Sequence, residues 1–202
     1  LTSFKQKTRY NVRLSQKKNV TVRVPEKLTK KDIDTMYELT RITTQRAGVY
    51  LRDKQYFSDF WKEFTDSGHG QMFFAELEGK ILAGAFITFA GEHALYKDGG
   101  SIRDHAQVQA PYALQWGIVR WLKAGGVTSY DLHGVPPADR IDDPTHPLAG
   151  LARFKTGFSQ EVIEYIGTYD LPLNARKYKV WRKLGESLAV RFESRFRGRL
   201  FW

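Results

Sequence analysis

Cysteine is absent from this chain of 202 residues. Disulfide bonds and thiolate-ligated metal sites within the chain are therefore excluded, and the composition fits a reducing compartment. No apolar run approaches the ~20 residues that a membrane-spanning helix needs, and no signal-peptide pattern opens the sequence. The first residue is Leu1 rather than Met and lies in a basic stretch, so we expect the sequence to be a fragment of a longer protein.

Positive charge is what the sequence has in excess, with a formal net charge of +10. Residues 1–31 contain ten Lys or Arg and one acid, and residues 174–202 contain nine and two. The intervening residues 32–173 carry a net charge of −6. Basic terminal blocks suit a polyanion such as tRNA, an anionic membrane leaflet or a phosphorylated substrate. Solvated faces of ordinary helices would give the same composition, so both interpretations stay open.

Hydrophobic periodicity predicts helices in the first third of the chain and a strand meander after it. Predicted helices cover residues 3–18, 29 to about 46, about 53–66, the stretch from Pro111 to Gly125, 148–158 and 175–197. Predicted strands cover residues 20–24, 71–77, 80–89, 92–97, 127–132 and 161–169. We assign residues 1–24 to a linking helix and first strand, and residues 25–202 to a single domain. The order predicts an α/β fold of the N-acetyltransferase (GNAT) type, with a mixed, mainly antiparallel sheet flanked by helices.

The start of the main helix lacks a feature that the GNAT fold commonly carries. Acetyl-CoA-dependent members bind the pyrophosphate on a glycine-rich turn, where free N–H groups and the helix dipole hold the phosphates. The corresponding residues 109–114 read QAPYAL, without glycine, and Pro111 removes one N–H donor. The pattern therefore predicts the fold without its usual cofactor site and argues against acetyl-CoA.

Six sequence segments carry a more specific resemblance. They are residues 1–24, 46–50 (RAGVY), 96–101 (YKDGGS), 111–118 (PYALQWGI), 130–134 (YDLHG) and 151–158 (LARFKTGF). In this order, over nearly the whole chain, they resemble the second domain of the FemABX peptidyltransferases. The segment from Arg153 to Phe158 is the most specific of them.

The resemblance implies an enzyme of two GNAT-type domains, of which this chain is the C-terminal half. Members of the family move an aminoacyl group from aminoacyl-tRNA to an amine of the stem peptide of a peptidoglycan precursor, either UDP-MurNAc-pentapeptide or lipid II. No metal or nucleotide cofactor is implied. The resemblance further implies a monomer in the cytoplasm, with peripheral contact to the anionic inner face of the membrane.

Two residues of the last segment are the candidate catalytic pair. In the reaction an amine attacks an ester, and a fixed cation near the ester oxygen lowers the barrier. By the resemblance Lys155 is the catalytic lysine, and Phe154 beside it shapes the pocket for the tRNA end. The alternatives are an ordinary surface lysine and a core phenylalanine. We favour the catalytic role for Lys155 and leave both roles of Phe154 open.

Arg46 and Tyr50 are the candidate precursor-binding pair, with Tyr96 as a third member. If the helix extends past Gly48, the two side chains share one helix face. By the resemblance this pair binds the phosphates and sugar of the precursor, and a guanidinium suits diphosphate because its fork donates two parallel hydrogen bonds. The alternative for Arg46 is a helix-end salt bridge.

Asp131 is a candidate proton acceptor for the attacking ammonium. A structural carboxylate at a strand end is the alternative that we favour for it. His133 offers the same chemistry, but a lone histidine is weak evidence. The five histidines show no metal-ligand spacing, so no metal site is predicted.

The basic final helix allows a further interpretation. With Arg199, Phe201 and Trp202 beyond it, it would suit tRNA phosphates or an anionic membrane surface. We expect its aromatic stripe, from Tyr178 to Phe196, to pack in the core. A GNAT acyltransferase that uses acyl-CoA and a non-catalytic module that binds tRNA or anionic lipid remain the alternative functions.

Overall fold

The computed structural model describes residues 1–48 and 50–197, except for the side chains of Ser194 and Arg197. Arg199, Phe201 and Trp202 lie outside the described residues. The helices are α1 (Gln6–Lys17), α2 (Lys30–Ala47), α3 (Lys54–Asp66), α4 (Ala110–Ala124), α5 (Ala149–Lys155), α6 (Ala175–Val180) and α7 (Glu186–Phe192). The strands are β1 (Thr21–Arg23), β2 (Gly70–Leu77), β3 (Lys80–Ala90), β4 (His93–Ser101) and β5 (Ser129–Asp131).

The five strands form one sheet in the order β1-β2-β3-β4-β5. Tight turns join β2 to β3 and β3 to β4, so these neighbours pair antiparallel. β1 also pairs antiparallel with β2, although α2 and α3 lie between them in the sequence, and β5 pairs parallel to β4 after the α4 crossover. The prediction of a mixed, mainly antiparallel sheet flanked by helices is thus confirmed.

Helices cover both faces of the sheet. On one face α2 and α3 bury Met36, Leu39 and Trp61 against the side chains of β2 and β3. On the other face α4 buries Leu114 and Ile118 against alternate residues of the same strands. This division follows from the strand period of two, which sends successive side chains to opposite faces. A capping box at Thr29 and Asp32 fixes the start of α2, as the sequence predicts.

α1 and α5 meet at the N-terminal end of α4. The Lys5 N–H donates to the Gly157 carbonyl at 2.9 Å, and a Cβ on Gly157 would lie 2.3 Å from Thr8 Oγ1. Phe4 contacts the rings of both Trp116 and Phe158. The close approach at Gly157 fixes where α5 ends, and Lys155 stands in its last turn.

β4 contains a bulge and then separates from β5. Phe86 pairs with Asp98 and Ile87 with Tyr96, so Lys97 is the extra residue. The bulge sends Asp98 toward α3, where it accepts a hydrogen bond from Trp61 Nε1 at 2.9 Å. Pairing with β5 stops at Leu95 and Asp131, whereas β4 continues to Ser101. An opening between the two strands results.

Residues 159–174 contain no helix or strand, so the predicted strand over 161–169 is wrong. Its apolar side chains are exposed, Ile166 by 86% and Leu173 by 97%. Within residues 1–48 and 50–197, no strand pairs with this segment, so its alternating pattern is not sufficient to form one.

The final helix runs from α6 through a π-helical turn (Trp181–Gly185) and α7 to a second π-helical stretch (Glu193–Arg197). Its predicted core stripe is also wrong within the described residues, because Leu188, Phe192 and Phe196 are exposed. Among the described residues, none of the helices is both long and apolar enough to cross a membrane.

Candidate functional site

Lys155 lies at the opening between β4 and β5 and is only 7% exposed. Its Nζ donates to the His133 carbonyl and, at 3.2 Å, to the Gly134 carbonyl. The Tyr96 ring lies on another side, with its centroid 5.6 Å from Nζ. The ammonium is therefore held by two carbonyl dipoles and the negative face of a ring, an arrangement that suits a cation. The alternative of an ordinary surface lysine is wrong.

Lys155 is a cation whose pKa is lowered by its surroundings. Burial lowers the pKa of the Lys155 ammonium to about 8, and the Asp131 carboxylate opposes that shift. The group is still mostly protonated at neutral pH. The ammonium has three N–H donors, and the His133 and Gly134 carbonyls accept from it, which leaves a donor for a further acceptor.

The loop after β5 supplies the two carbonyls. His133 and Gly134 both adopt left-handed backbone angles, with φ of 51° and 60°. Asp131 Oδ1 accepts a hydrogen bond from the His133 N–H at 2.6 Å, which stabilises this turn. Consecutive left-handed residues turn the carbonyls of His133 and Gly134 toward Lys155. Glycine is suited to its position for this reason, whereas His133 is strained there.

Both oxygens of Asp131 are occupied. In addition to the His133 N–H, Oδ2 accepts a hydrogen bond from the Tyr165 hydroxyl at 3.1 Å. The contact raises the pKa of Tyr165. These bonds match the structural role that the sequence analysis favours for Asp131, with a favourable charge interaction with Lys155 in addition.

The Tyr96 ring lines one side of the Lys155 site. Burial raises the pKa of Tyr96 to about 12, and nearby Asp98 adds to the shift, so the phenol is neutral at physiological pH. A Cβ on Gly99 would lie 1.7 Å from the Tyr96 hydroxyl, which shows that the ring runs along β4 over Gly99. The predicted association of Tyr96 with Arg46 is not seen, since its described neighbour is Lys155.

Phe154 points away from Lys155 into an aromatic cluster. Its ring centroid lies 5.1 Å from that of Tyr112 and 5.2 Å from that of Phe158. Phe158 also contacts Phe4 of the N-terminal segment. Phe154 is half-buried, so it packs the junction of α4 and α5 and leaves part of its surface exposed.

Arg46 and Tyr50 do not share a helix face. α2 ends at Ala47, and Gly48 adopts a left-handed conformation with φ of 68° that terminates it. The predicted pairing of Arg46 with Tyr50 required the helix to extend past Gly48, and the helix does not extend that far. Tyr50 is 52% exposed, and no described contact joins either residue to Lys155.

Arg46 lies close to a second cationic side chain, that of Arg103. Arg46 Nη1 donates to the Ser101 carbonyl at 3.2 Å, which places the guanidinium at the end of β4. Burial lowers the pKa of Arg46, and the positive charge of Arg103 lowers it further. Two guanidinium groups in mutual repulsion favour an anion between them.

Sequence reasoning missed Arg103, the buried Gln115 and the partly buried Tyr130 and Gly99. Arg103 follows the segment 96–101 by two positions, and the other three residues lie within segments that carry the family resemblance. The resemblance therefore included these positions but did not indicate what their side chains contact. No group of three or more His, Asp or Glu side chains that could hold a metal ion occurs within residues 1–48 and 50–197. At the start of α4, Gln109 is left-handed and Pro111 stands in the first turn, as predicted for a helix without the glycine-rich turn.

Known proteins resemble this chain in sequence and in fold. A lipid II:glycine glycyltransferase of Staphylococcus saprophyticus is 23% identical over 241 residues, covering 89% of this chain and 57% of the relative. The crystal structure of FemX superposes with a TM-score of 0.74 at 22% identity, covering 89% of this chain and 60% of that one. The chain therefore spans a little over half the length of these relatives.

The fold recurs in acetyltransferases. The crystal structure of an aminoglycoside acetyltransferase from an uncultured soil metagenomic sample superposes with a TM-score of 0.52 at 14% identity, covering 76% of this chain and 96% of that one. The predicted GNAT-type fold is thereby confirmed. The FemAB family matches residues 1–80 and 71–185, well over half of the sequence, and this chain is a member of the FemAB family.

Proposed function

We propose that this chain is the catalytic half of an aminoacyltransferase that adds an amino acid to the stem peptide of a peptidoglycan precursor. The observation that carries the proposal is the buried Lys155 ammonium between two carbonyls and the Tyr96 ring. Family membership supports it, and so does the glycyltransferase activity for which the staphylococcal relative is named. The donor in this proposal is aminoacyl-tRNA, and the acceptor is UDP-MurNAc-pentapeptide or lipid II.

The proposed step is aminolysis of an ester. The acceptor amine forms a C–N bond to the ester carbonyl carbon, and the carbonyl π electrons move onto oxygen. Lys155 donates a hydrogen bond to that oxyanion. When the intermediate collapses, the bond to the ribose oxygen breaks and the ribose takes the proton that the amine loses. One such donor is worth ~10²–10³ in rate.

Asp131 assists this step through charge and geometry in our proposal. Its two oxygens accept hydrogen bonds from His133 and Tyr165, and its charge favours the protonated form of Lys155. The same bonds leave it poorly placed to remove a proton, so we assign general-base chemistry to another group. Phe154 borders the tRNA-end pocket only through the part of its ring that stays exposed.

The guanidinium groups of Arg46 and Arg103 are the proposed site for the diphosphate of the precursor. Charge complementarity supports this role, because an anion would relieve the repulsion that lowers the pKa of Arg46. Tyr50, which is exposed and lies beyond the end of α2, is the proposed sugar contact. Tyr96 belongs to the Lys155 site rather than to this one.

We further propose that a second domain of the same protein completes the enzyme. The relatives extend well beyond the matched region. The exposed apolar side chains of residues 161–173 are a surface that such a domain would bury, because contiguous apolar exposure on this scale marks an interface. The monomeric state expected of the family would hold for that two-domain protein.

The final helix is the proposed contact with an anionic membrane surface. Arg176, Lys177, Lys179, Arg182 and Lys183 supply its charge, and Leu184, Leu188 and Phe196 are exposed along it. A basic helix with exposed apolar side chains is typical of interfacial binding. Sedimentation of the full-length protein with vesicles tests this role. Binding to phosphatidylserine-containing vesicles, but not to pure phosphatidylcholine, is expected, and equal binding to both would contradict it.

The activity is tested with the full-length protein, a panel of aminoacyl-tRNAs and a peptidoglycan precursor. We expect one or a few aminoacyl-tRNAs to donate their amino acid to the precursor amine, and mass spectrometry of the precursor detects the product. Acyl-CoA is the matched control donor. Transfer from acyl-CoA alone would contradict the proposal, and so would tRNA binding without transfer from any donor in the panel.

A further inference from the structure

The helices on the two faces of the sheet differ in charge. α1 packs on α4, and together these two helices contain six Lys or Arg and no Asp or Glu. α2 and α3, on the opposite face of the sheet, contain six Lys or Arg and six Asp or Glu. Basic charge is therefore balanced by acidic side chains on one side of the sheet and is not balanced on the other.

Exposed cations of α1 and α4 form a surface that we call the basic face. They are Lys7, Arg13 and Lys17 of α1 and Arg120 of α4. Arg120 belongs to the same surface as α1, because Arg120 and Gln16 line one groove between the two helices. The basic face is thus continuous across the contact of α1 with α4.

The cations of the basic face have no acidic partner. Within residues 1–48 and 50–197, no ion pair involves a Lys or Arg of α1 or α4. On the opposite side of the sheet, Asp34 pairs with Lys30 at 3.4 Å and with Lys54 at 2.7 Å. Cations without internal partners attract a polyanion from outside the chain.

The basic face begins beside the Lys155 site. Lys5, which directly precedes α1, donates from its backbone N–H to the Gly157 carbonyl at 2.9 Å and from Nζ to Thr156 Oγ1 at 3.4 Å. From this contact α1 extends for 12 residues, which is ~18 Å. A nucleic acid with its terminal ester at Lys155 would therefore have α1 next to its following nucleotides.

The exposed side of α1 suits RNA better than a lipid bilayer. A helix that lies on a membrane inserts an exposed apolar stripe, and α1, which is described over its whole length, has none, since Val12 is fully buried and Leu14 is partly buried. Tyr10 is 62% exposed and stands between Lys7 and Arg13. Aromatic rings among cations are typical of surfaces on which single-stranded bases stack.

We propose that the basic face binds the ribose-phosphate backbone of the RNA donor, and that a base of the RNA stacks on Tyr10. The cations contact phosphates and carry no sequence information, so binding is expected with many RNA sequences. The proposal rests on the proposed function, which supplies an RNA as the donor. It adds the surface along which the RNA leaves the Lys155 site.

The test measures the affinity of the full-length protein for RNA over a range of salt concentrations. The probe is a fluorescein-labelled RNA hairpin with a single-stranded 3′ end that finishes in CCA, and fluorescence anisotropy reports binding. The first variant combines Lys7→Gln, Arg13→Gln and Lys17→Gln.

The matched control for this triple variant combines Lys27→Gln, Lys31→Gln and Lys62→Gln. These three lysines are exposed and precede or belong to α2 and α3. The control therefore removes the same number of charges from the other side of the sheet.

The α1 triple variant should weaken RNA binding by about tenfold to hundredfold at ~0.15 M salt. It should also lower the slope of log affinity against log salt by about 2–3, because each lost phosphate contact releases fewer counterions. Arg120→Gln, an independent variant on α4, should lower that slope by about 1. The control variant should change affinity by less than about twofold.

Tyr10→Leu separates stacking from charge. It should weaken binding by about tenfold and leave the salt slope unchanged, because a stacked ring releases no counterions. Tyr56→Leu is its control, since Tyr56 is 40% exposed on α3, on the opposite face of the sheet. Binding to the RNA should be the same in Tyr56→Leu as in the wild type.

An unchanged affinity and salt slope in the α1 triple variant, or an equal loss in its control, would overturn the proposal. It would also be overturned if that variant lost binding to phosphatidylserine-containing vesicles and kept its affinity for RNA, since the surface would then contact a membrane. The proposed function is tested separately by transfer. If the α1 variant loses RNA binding but the wild type transfers no aminoacyl group, the RNA surface stands and the proposed function fails.

Discussion

Residues 1–158 and residues 159–197 use apolar side chains in opposite ways. In the first region the apolar faces of α2, α3 and α4 are buried on a five-stranded sheet. In the second region the tyrosines, isoleucines and leucines face solvent. Both regions have the composition of folded protein. The difference teaches that a periodic pattern identifies a segment that requires a partner, without identifying where the partner lies.

The hydrogen bonds from the second region to the first lie close to the site. Tyr165 donates to Asp131, and Glu164 accepts from the Ala138 N–H at 2.7 Å. The exposed segment is therefore attached next to the loop that holds Lys155. A domain that covered this segment would also border the opening between β4 and β5.

The largest stability contrast is expected between Phe73 and Phe196. Phe73 is fully buried on β2, whereas Phe196 is 71% exposed. Phe73→Ala should lower the free energy of unfolding of this chain by about 3–5 kcal/mol, because it leaves a cavity in the core. Phe196→Ala should change it by no more than about 0.5 kcal/mol. Urea unfolding measures both, and similar losses would show that the final helix is packed after all.

A smaller contrast is expected between Gly100 and Gly150. A Cβ on Gly100 would lie 2.3 Å from the Leu39 carbonyl carbon, whereas nothing lies within 4 Å of one on Gly150. Gly100→Ala should therefore destabilise the chain by about 1–3 kcal/mol through forced separation of α2 from β4. Gly150→Ala should stabilise it by about 0.5–1 kcal/mol, since alanine favours α5. Thermal unfolding compares them, and tolerance of Gly100→Ala would contradict the close packing.

Tyr165→Phe is expected to have a smaller effect still. It removes one exposed hydrogen bond to Asp131, so the free energy of unfolding should fall only slightly. The same change should increase proteolysis within 159–174 more than elsewhere, because it releases an attachment of that segment. An unchanged cleavage pattern would mean that the hydrogen bond does not hold the segment in place.

The pH dependence of stability should carry a contribution from Lys155. The pKa of this group is about 8 in the folded chain, below the ordinary lysine value of 10.5. Between these values the unfolded chain binds more protons, so stability from this group rises with pH there. Below about pH 8 both states are protonated and the cost of burying the charge is fully present. Denaturant titrations of wild type and Lys155→Met should diverge in this window, and parallel curves would contradict the burial.

The sequence predicts much of the first region and less of the second. Helices α1 to α5 and strands β1, β2, β3 and β5 were predicted close to their observed bounds, because caps such as Thr29 and stops such as Gly125 act locally. β4 extends to Ser101, beyond the predicted end at residue 97. The prediction of a strand at 161–169 was wrong because a strand forms only by hydrogen bonding to another strand, which a local pattern does not specify. The prediction that Arg46 and Tyr50 share a helix face was wrong because Gly48, which lies between them, ends the helix.

The site itself was predicted in part. The segment around Lys155 identified the lysine, but its burial follows from the turn at His133 and Gly134, which lies 21 residues away along the chain. Gln115 was missed because a glutamine on a helix is usually solvent-exposed. Its hydrogen-bond partner is Tyr130 of β5, which lies 15 residues away along the chain, and no local pattern encodes that contact.

Turnover of Lys155→Met in the full-length protein tests the central claim most directly, with Arg153→Met as the control. Arg153 stands on the same short helix and carries the same charge, but it is exposed. If the buried ammonium stabilises the oxyanion, Lys155→Met should lower kcat by ~10²–10³ while tRNA and precursor still bind, and Arg153→Met should retain nearly full turnover. Unimpaired turnover in Lys155→Met, or an equal loss in both variants, would contradict the account.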